Sequence, residues 1–450
     1  MPAPEAPRLQ RILQIALPVV ISNASYTAML FVDRLFLSRV GKHELAAAMS
    51  GGLTAFVFYA FFVGLVGYAS ALAAQYYGSG QHGRCVRAAV QAIYLALASY
   101  PLLLACVPFL GHLFTATGQD PSLAAPATAY ARILLAGSVV SLLRIAVSSF
   151  FVGIGRTRTV MVANLCGTLV NIPLNYVLIF GKLGLPAMGI EGAALGTVGS
   201  GCFMLLMLAG AFVRAAARPP FKTEKPLQLQ PDIIRRLLRF GTPAGVEPFL
   251  NWFAFNLFIL TLHTYGPDTA AAATIAFNYD IVAFVPMMGL GVAATSVVGQ
   301  YIGARDLAGA EKALYLTLRC GVVFALAMMV LFLAGADVLV LLFSSGFESD
   351  LDVAATAALL LRLMALYTLA NAAKLVLSGA LRAAGDTAWT MWVSVALHWA
   401  MALAGFLLVR VFEVPPYAAW TALIAMNNIH FLSVFYRYRT GKWKKIKLID

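Results

Sequence analysis

The sequence predicts an all-α membrane protein, with twelve transmembrane helices in two pseudo-symmetric six-helix lobes. Three observations carry this. The 450 residues are 61% hydrophobic and 11% charged, whereas soluble domains run at about 25% charged. Mean hydropathy is +0.83. Twelve apolar runs each approach the ~20 residues a helix needs to cross the hydrocarbon, and the second half of the chain repeats the first.

The runs lie at 12–38, 51–77, 86–112, 127–152, 159–181, 190–213, 240–262, 270–298, 314–344, 355–381, 389–411 and 416–436. The first is too long for a cleavable signal and lacks a small-residue cleavage site, so none is expected. Basic residues cluster in alternate connections: Arg8 and Arg11, Arg84 and Arg87, Arg156 and Arg158, the stretch from Arg214 to Arg239, Arg305 and Lys312, Arg382, and the tail Lys442, Lys444, Lys445 and Lys447. The other connections hold only Arg39, Lys42, Lys182 and Arg410, with acids such as Glu348, Asp350, Asp352 and Glu413. The positive-inside rule then places both termini in the cytoplasm. The net charge of +13 reflects this distribution and not a nucleic-acid surface.

Five cysteines (Cys85, Cys106, Cys166, Cys202 and Cys320) form no CxxC pair, which leaves neither a disulfide framework nor a zinc site. They read as small membrane-core residues. The six histidines, His43, His82, His112, His263, His398 and His430, are scattered without metal-ligand spacing. No nucleophile motif appears either, so an intramembrane enzyme is not expected. A continuous channel is disfavoured because asymmetry between the halves suits alternating access better.

The largest break holds Arg218-Pro-Pro-Phe-Lys-Thr-Glu-Lys-Pro226, a Pro-rich charged linker. It divides the chain into an N-lobe at 1–213, a linker at 214–239, a C-lobe at 240–436 and a basic tail at 437–450. The linker is expected along the membrane surface, either touching lipid headgroups or acting as a tether that obeys the charge bias.

Internal repetition organises the rest. Pro18 matches Pro243, and Gln75-Tyr-Tyr-Gly78 matches Gln300-Tyr-Ile-Gly303, at an offset of 225. Arg132 then matches Arg362, Arg144 matches Lys374 and Gly155 matches Gly385, at 230. Six spans separate the copies, an even number, so the repeats are parallel about an axis along the membrane normal, with the substrate path expected between the halves. At the same offsets Asp33 corresponds to Phe258, Asn171 to Met401 and Asn175 to Gly405. The first half keeps a polar set that the second lacks, and an ion site confined to the first half is the simplest reading.

Asp33 stands inside the first apolar run, where a carboxylate costs about 2.5–3.5 kcal/mol on insertion scales and marks a functional site by default. Arg34 follows it, but adjacent helix residues do not face one another. Asn171 and Asn175 are four apart and share a helix face. With Asp33 they offer Na⁺ one charge and several hard oxygens; alternatively the desolvated carboxylate carries H⁺. Pro173 between them loosens the backbone. Ordinary polar contacts between membrane helices are the competing reading. In the second half, Glu247 and Lys374 lie about 10 Å from the same membrane face at 1.5 Å per residue, so they can pair; they read either as a paired buried charge or as a proton-linked switch or substrate contact. Arg144 either snorkels toward headgroups or contacts an anion. Asp280 falls near mid-depth, where it would attract a cationic substrate. Trp252, Phe253, Phe255, Phe258, Phe277, Met287 and Met288 around it read as packing or as a drug cage. His398 beside Trp399 reads as a structurally satisfied histidine.

The chain resembles the multidrug and toxic compound extrusion (MATE) transporters over nearly its whole length. The resemblance rests on Leu17-Pro-Val-Val20, Val32-Asp33, Gln75-Tyr-Tyr-Gly78, Phe151-Val-Gly-Ile-Gly-Arg-Thr-Arg-Thr159 and Asn171-Ile-Pro-Leu-Asn-Tyr-Val-Leu-Ile-Phe-Gly181. It continues through Gly189-Ile-Glu-Gly-Ala-Ala-Leu-Gly-Thr197, Gly241-Thr-Pro-Ala-Gly-Val-Glu247 and Gly379-Ala-Leu-Arg-Ala-Ala-Gly-Asp-Thr387. It implies two six-helix lobes forming a V-shaped cavity, and a monomer in a bacterial inner membrane. It also implies an ion site of Asp33, Asn171, Asn175 and Thr197. Some members carry acids in the seventh and tenth helices; those positions are Asn251 and Asn371 here, with Glu247 one turn from Asn251 as a substitute. The expected function is secondary active antiport of H⁺ or Na⁺ against an organic, cationic or amphipathic compound. The alternative is a flippase or exporter of an anionic or lipid-linked substrate, favoured by Arg144 and Lys374. The coupling ion replaces any cofactor; the expected partners are the small substrate and membrane lipid.

Overall fold

The computed structural model describes residues 9–116, 121–344 and 351–449. Arg8, Glu348 and Asp350 of the charge pattern lie outside the described residues, as do the side chains of Lys42 and Asp352. Among the described residues there are helices and turns but no strand.

In the first half, α1 (Leu9–Val40) carries Pro18 inside it. The next span is α2 (Lys42–Gly67) continued by α3 (Ala69–Gly78). After it come α4 (His82–Cys106) and α5 (Leu110–Ala116), joined by a short 3₁₀ turn. α6 (Pro121–Ala136) and α7 (Ser138–Gly153) form one span bent by 41°. The bend falls at Gly137, where a Cβ would sit 2.4 Å from Val198. α8 (Thr157–Phe180) and α9 (Gly189–Ala216) complete the half.

The second half runs α10 (Pro231–His263), α11 (Pro267–Gly303), α12 (Leu307–Ala334), α13 (Ala336–Ser344), α14 (Leu351–Ala384) and α15 (Thr387–Arg410). The short α16 (Pro416–Ala419) and α17 (Thr421–Arg439) end it. By length and composition, eleven stretches among the described residues can cross a membrane, and the bent α6–α7 pair makes a twelfth. The repeats survive in the turns. Gly80 and Arg305 take left-handed backbone at an offset of 225, and Gly155 and Gly385 at 230.

Two compact units emerge among the described residues, one within 17–245 and the other comprising 9–16 with those of 246–448. The first turns of α1 pack Ile15 and Ala16 into the core of the second unit, beside Leu290 and Leu377. Arg11 there donates to Gln300 Oε1 at 2.7 Å. The linker and the start of α10 belong to the first unit. α10 starts at Pro231, not 240. Arg235, Arg236 and Arg239 interrupt the apolar run but not the helix, and Pro at a first helical position favours the earlier start.

The linker, 217–230 in the structure, is folded onto α4. Its carbonyls accept from Arg87 (Glu224 O, 3.0 Å), Gln91 (Gln228 O, 3.1 Å) and Tyr94 (Leu227 O, 2.5 Å). Phe221 is buried against Phe150 at 5.2 Å, His82 at 5.6 Å and Tyr77 at 6.2 Å. One aromatic residue in that polar stretch fixes where it docks through burial. The basic tail is docked as well. Trp443 is buried, donates Nε1–H to the Tyr438 carbonyl at 3.1 Å, and stacks on the Tyr438 ring. Lys444 pairs with Glu311.

Candidate ion-coupling site

In the first unit, α1, α8 and α9 bring four polar side chains together. Asp33 is 4% exposed, and Asn171 and Asn175 are wholly buried. The Asn175 amide donates to both Asp33 Oδ1 and Asn171 Oδ1, the latter at 3.2 Å. The Thr197 hydroxyl lies 3.4 Å from Asp33 Oδ2 and is also shared with the Ala193 carbonyl at 3.0 Å. Asn171 in turn donates to Ser200 Oγ at 3.3 Å. Ser200, wholly buried on α9, extends the set beyond the expected four. It lies three residues after Thr197, a spacing that shares a helix face and was readable in the sequence.

The backbone makes the room. A Cβ on Gly196 would fall 1.7 Å from Asn175 Oδ1, so a glycine in α9 is what lets the amide sit there. Gly192, one turn earlier, lets α9 approach the α8 backbone at Leu178 to within what a Cβ would close to 2.7 Å. The buried Asn175 Oδ1 has no hydrogen-bond partner among the described residues. No ion pair to Asp33 is found among them either, and Arg34 is exposed. A buried carboxylate with neutral oxygen-bearing neighbours and an orphaned carbonyl oxygen is an arrangement suited to a hard cation or to a proton.

The second unit holds the other candidates. Glu247 and Lys374 do not pair with each other. Glu247 Oε1 accepts from Arg382 at 2.8 Å, whereas Lys374 Nζ donates to Asn427 Oδ1 at 2.7 Å. Arg382 is eight residues nearer the C-terminal end of α14, about 12 Å at the helical rise, and its longer fork reaches Glu247. Counting depth from span ends missed that difference. Lys374 is 8% exposed and within electrostatic reach of Asp280, Glu247, His398 and His430. Asp280 accepts from the Tyr367 hydroxyl at 2.9 Å. Asn251 donates to Ser394 Oγ at 2.8 Å. Asn371 is buried, and its Oδ1 has no partner among the described residues. His398 contacts the Ser394 carbonyl through Nδ1 at 2.7 Å, with the His430 ring 6.1 Å away. Arg144, half-buried in the first unit, donates to Asn164 Oδ1 at 3.4 Å. Among the aromatics, Phe258 and Met287 are core, Phe255 packs edge-on to Phe277 at 5.3 Å, and Trp252 and Phe253 are about half exposed.

Tyr367, Ser394, Asn427 and His430 were missed. The repeat contained a signal for two of them. Adding 230 to Thr197 and Ser200 gives Asn427 and His430.

The two halves repeat one another in helices long and apolar enough to cross a membrane, with buried Asp33 in one where the other has Phe258. The MatE family profile matches residues 18–177 and 243–404. The probable multidrug resistance protein NorM of Bradyrhizobium diazoefficiens is 30% identical over 398 residues, covering 87% of this chain and 84% of that protein. The multidrug resistance protein MdtK of Yersinia pseudotuberculosis is 30% identical, covering 88% and 87%. A crystal structure of MATE in complex with MaL6 superposes at a TM-score of 0.88 with 21% identity, covering 97% of each chain. A MOP-superfamily transporter from Pyrococcus furiosus gives 0.85 at 21% identity, covering 97% of this chain and 96% of that one. The chain belongs to the MatE family, whose members are transporters and not enzymes.

Proposed function

We propose that this protein is a secondary active multidrug exporter of the bacterial inner membrane, with both termini in the cytoplasm. It exchanges one cation, H⁺ or Na⁺, at Asp33 for an organic cationic or amphipathic compound by alternating access. The observation that carries this reading is Asp33, buried beside Asn171, Asn175 and Thr197 with no ion pair among the described residues. The relatives named as multidrug resistance proteins support the substrate class.

Each residue has a distinct task. Asp33 supplies the single negative charge. Turning the Asn175 amide over brings its orphaned Oδ1 toward a cation, while Asn171 and Thr197 add neutral oxygens. A proton on Asp33 satisfies the same charge without those ligands. Pro18 interrupts the backbone ladder of α1, so that the helix carrying Asp33 can repack when the charge is neutralised. The cation drives the change only by its differential affinity for the two states. The anionic-substrate alternative has less support, because Arg144 and Lys374 are each occupied by an asparagine of their own unit.

The test is transport of the organic cation ethidium in proteoliposomes, with pH and Na⁺ gradients imposed separately. One gradient should drive uphill export in the wild type, and Asp33→Asn should abolish it while leaving circular dichroism unchanged. Uphill export by that variant would falsify the assignment.

A further inference from the structure

The second unit contains buried acids of its own, and they are balanced differently. Glu247, 6% exposed, is held by Arg382 through Oε1. Its Oε2 has no partner among the described residues, and neither has Asn251 Oδ1 or Asn371 Oδ1. Glu247 and Asn251 are one turn apart on α10, and Asn371 and Lys374 are one turn apart on α14, so each pair shares a helix face. Glu247 Oε2, Asn251 Oδ1 and Asn371 Oδ1 are each a buried acceptor without a donor among the described residues, on two helices that the Glu247–Arg382 pair links. An ammonium carries three N–H donors, and one of Lys374's is used, on Asn427. Asp280, partly buried, accepts from the Tyr367 hydroxyl at 2.9 Å and lies within electrostatic reach of Lys374, whereas the other buried acid, Asp386, is paired with Arg437.

The pseudo-symmetry gives this arrangement a meaning. Asn427 stands where the first unit has Thr197, the residue that touches Asp33. The ammonium of Lys374 is thus seated on the counterpart of an ion-site residue. A buried cationic side chain is costly unless paired, and this one lies within electrostatic reach of two carboxylates, Asp280 and Glu247, that would attract a free cation.

We propose that Lys374 is a tethered counter-cation: it fills the cation role in the second lobe, so that a single ion is exchanged per cycle, at Asp33 alone. This rests on the reading of Asp33 given above. Removing the ammonium should convert the Asp280, Glu247, Asn251 and Asn371 acceptors into a site open to a soluble monovalent cation. Arginine at the same position keeps the charge and keeps the site closed.

Na⁺ itself is the probe. Binding of radioactive sodium to the full-length purified protein is measured by scintillation proximity in the Asp33→Asn background, which removes the first-lobe site. Asp33→Asn alone and Asp33→Asn with Lys374→Arg should bind none. Asp33→Asn with Lys374→Met should bind one Na⁺ per chain, and adding Asp280→Asn should weaken that binding roughly tenfold, as expected for loss of one charged ligand. Lys374→Gln, which keeps a polar end in the buried site, replaces the methionine variant if that one does not fold. Sodium binding by Asp33→Asn alone overturns the proposal. So does a monodisperse Lys374→Met or Lys374→Gln double variant that binds none. Failure of the underlying reading shows separately, as uphill ethidium export that survives Asp33→Asn with Lys374 intact.

Discussion

In the first lobe, the step where α1 meets α8 sets Asp33 against Asn175, with Gly196 of α9 leaving space for the amide. In the second lobe the equivalent step of α10 and α15 sets Phe258 against Gly405, so close that a Cβ on the glycine would be 2.6 Å from the ring. Phe258 is fully buried and Met401 nearly so, where the first lobe has Asp33 and Asn171. One backbone frame therefore supports two kinds of interior. The apolar version contributes stability through burial. The polar version gives up that contribution, and a carboxylate at such depth is the ordinary mark of a functional site.

The contrast can be broken from either side. Phe258→Ala should have the largest effect on stability, about 3–5 kcal/mol for a large-to-small core change, read as a lowered thermal midpoint in detergent. The endpoint of uphill export should be unchanged. Asn175→Leu removes a hydrogen bond to a charged group, about 1.5–3 kcal/mol, and should weaken cation-driven export while lowering the thermal midpoint less than Phe258→Ala does. Gly196→Ala forces the Asn175 amide aside; overpacking of this kind costs about 1–3 kcal/mol, and it should weaken the cation dependence of ethidium export while the protein stays monodisperse. Gly405→Ala presses only on the edge of the Phe258 ring, and its effect should be the smallest, a fall in midpoint with coupling intact. If Gly405→Ala impaired coupling as much as Gly196→Ala, the two steps would not differ in role.

Much of this was legible in the sequence. A carboxylate in an apolar run stands out, two asparagines four apart declare a shared face, and the offsets of 225 and 230 paired Asp33 with Phe258 before any coordinates. Span positions followed from apolar length alone. The partners of long charged side chains did not. Glu247 had two basic residues on α14 within plausible depth, and only the packing of the helices selects Arg382. Asn427 and His430 lie in a span with many polar residues, so only the repeat distinguishes them. Phe221 and Trp443 were hidden because a single aromatic in a basic stretch carries no periodicity, although each decides where its segment docks.

The central claim is that coupling resides in one lobe. Its most direct test is the static-head accumulation ratio of ethidium in proteoliposomes under one imposed cation gradient, compared among wild type, Asp33→Asn and Asp280→Asn. The ratio depends on stoichiometry and not on rate. Asp33→Asn should end with no accumulation, whereas Asp280→Asn, even if slowed, should reach the wild-type ratio. Retained accumulation in Asp33→Asn, with collapse in Asp280→Asn, would contradict the account.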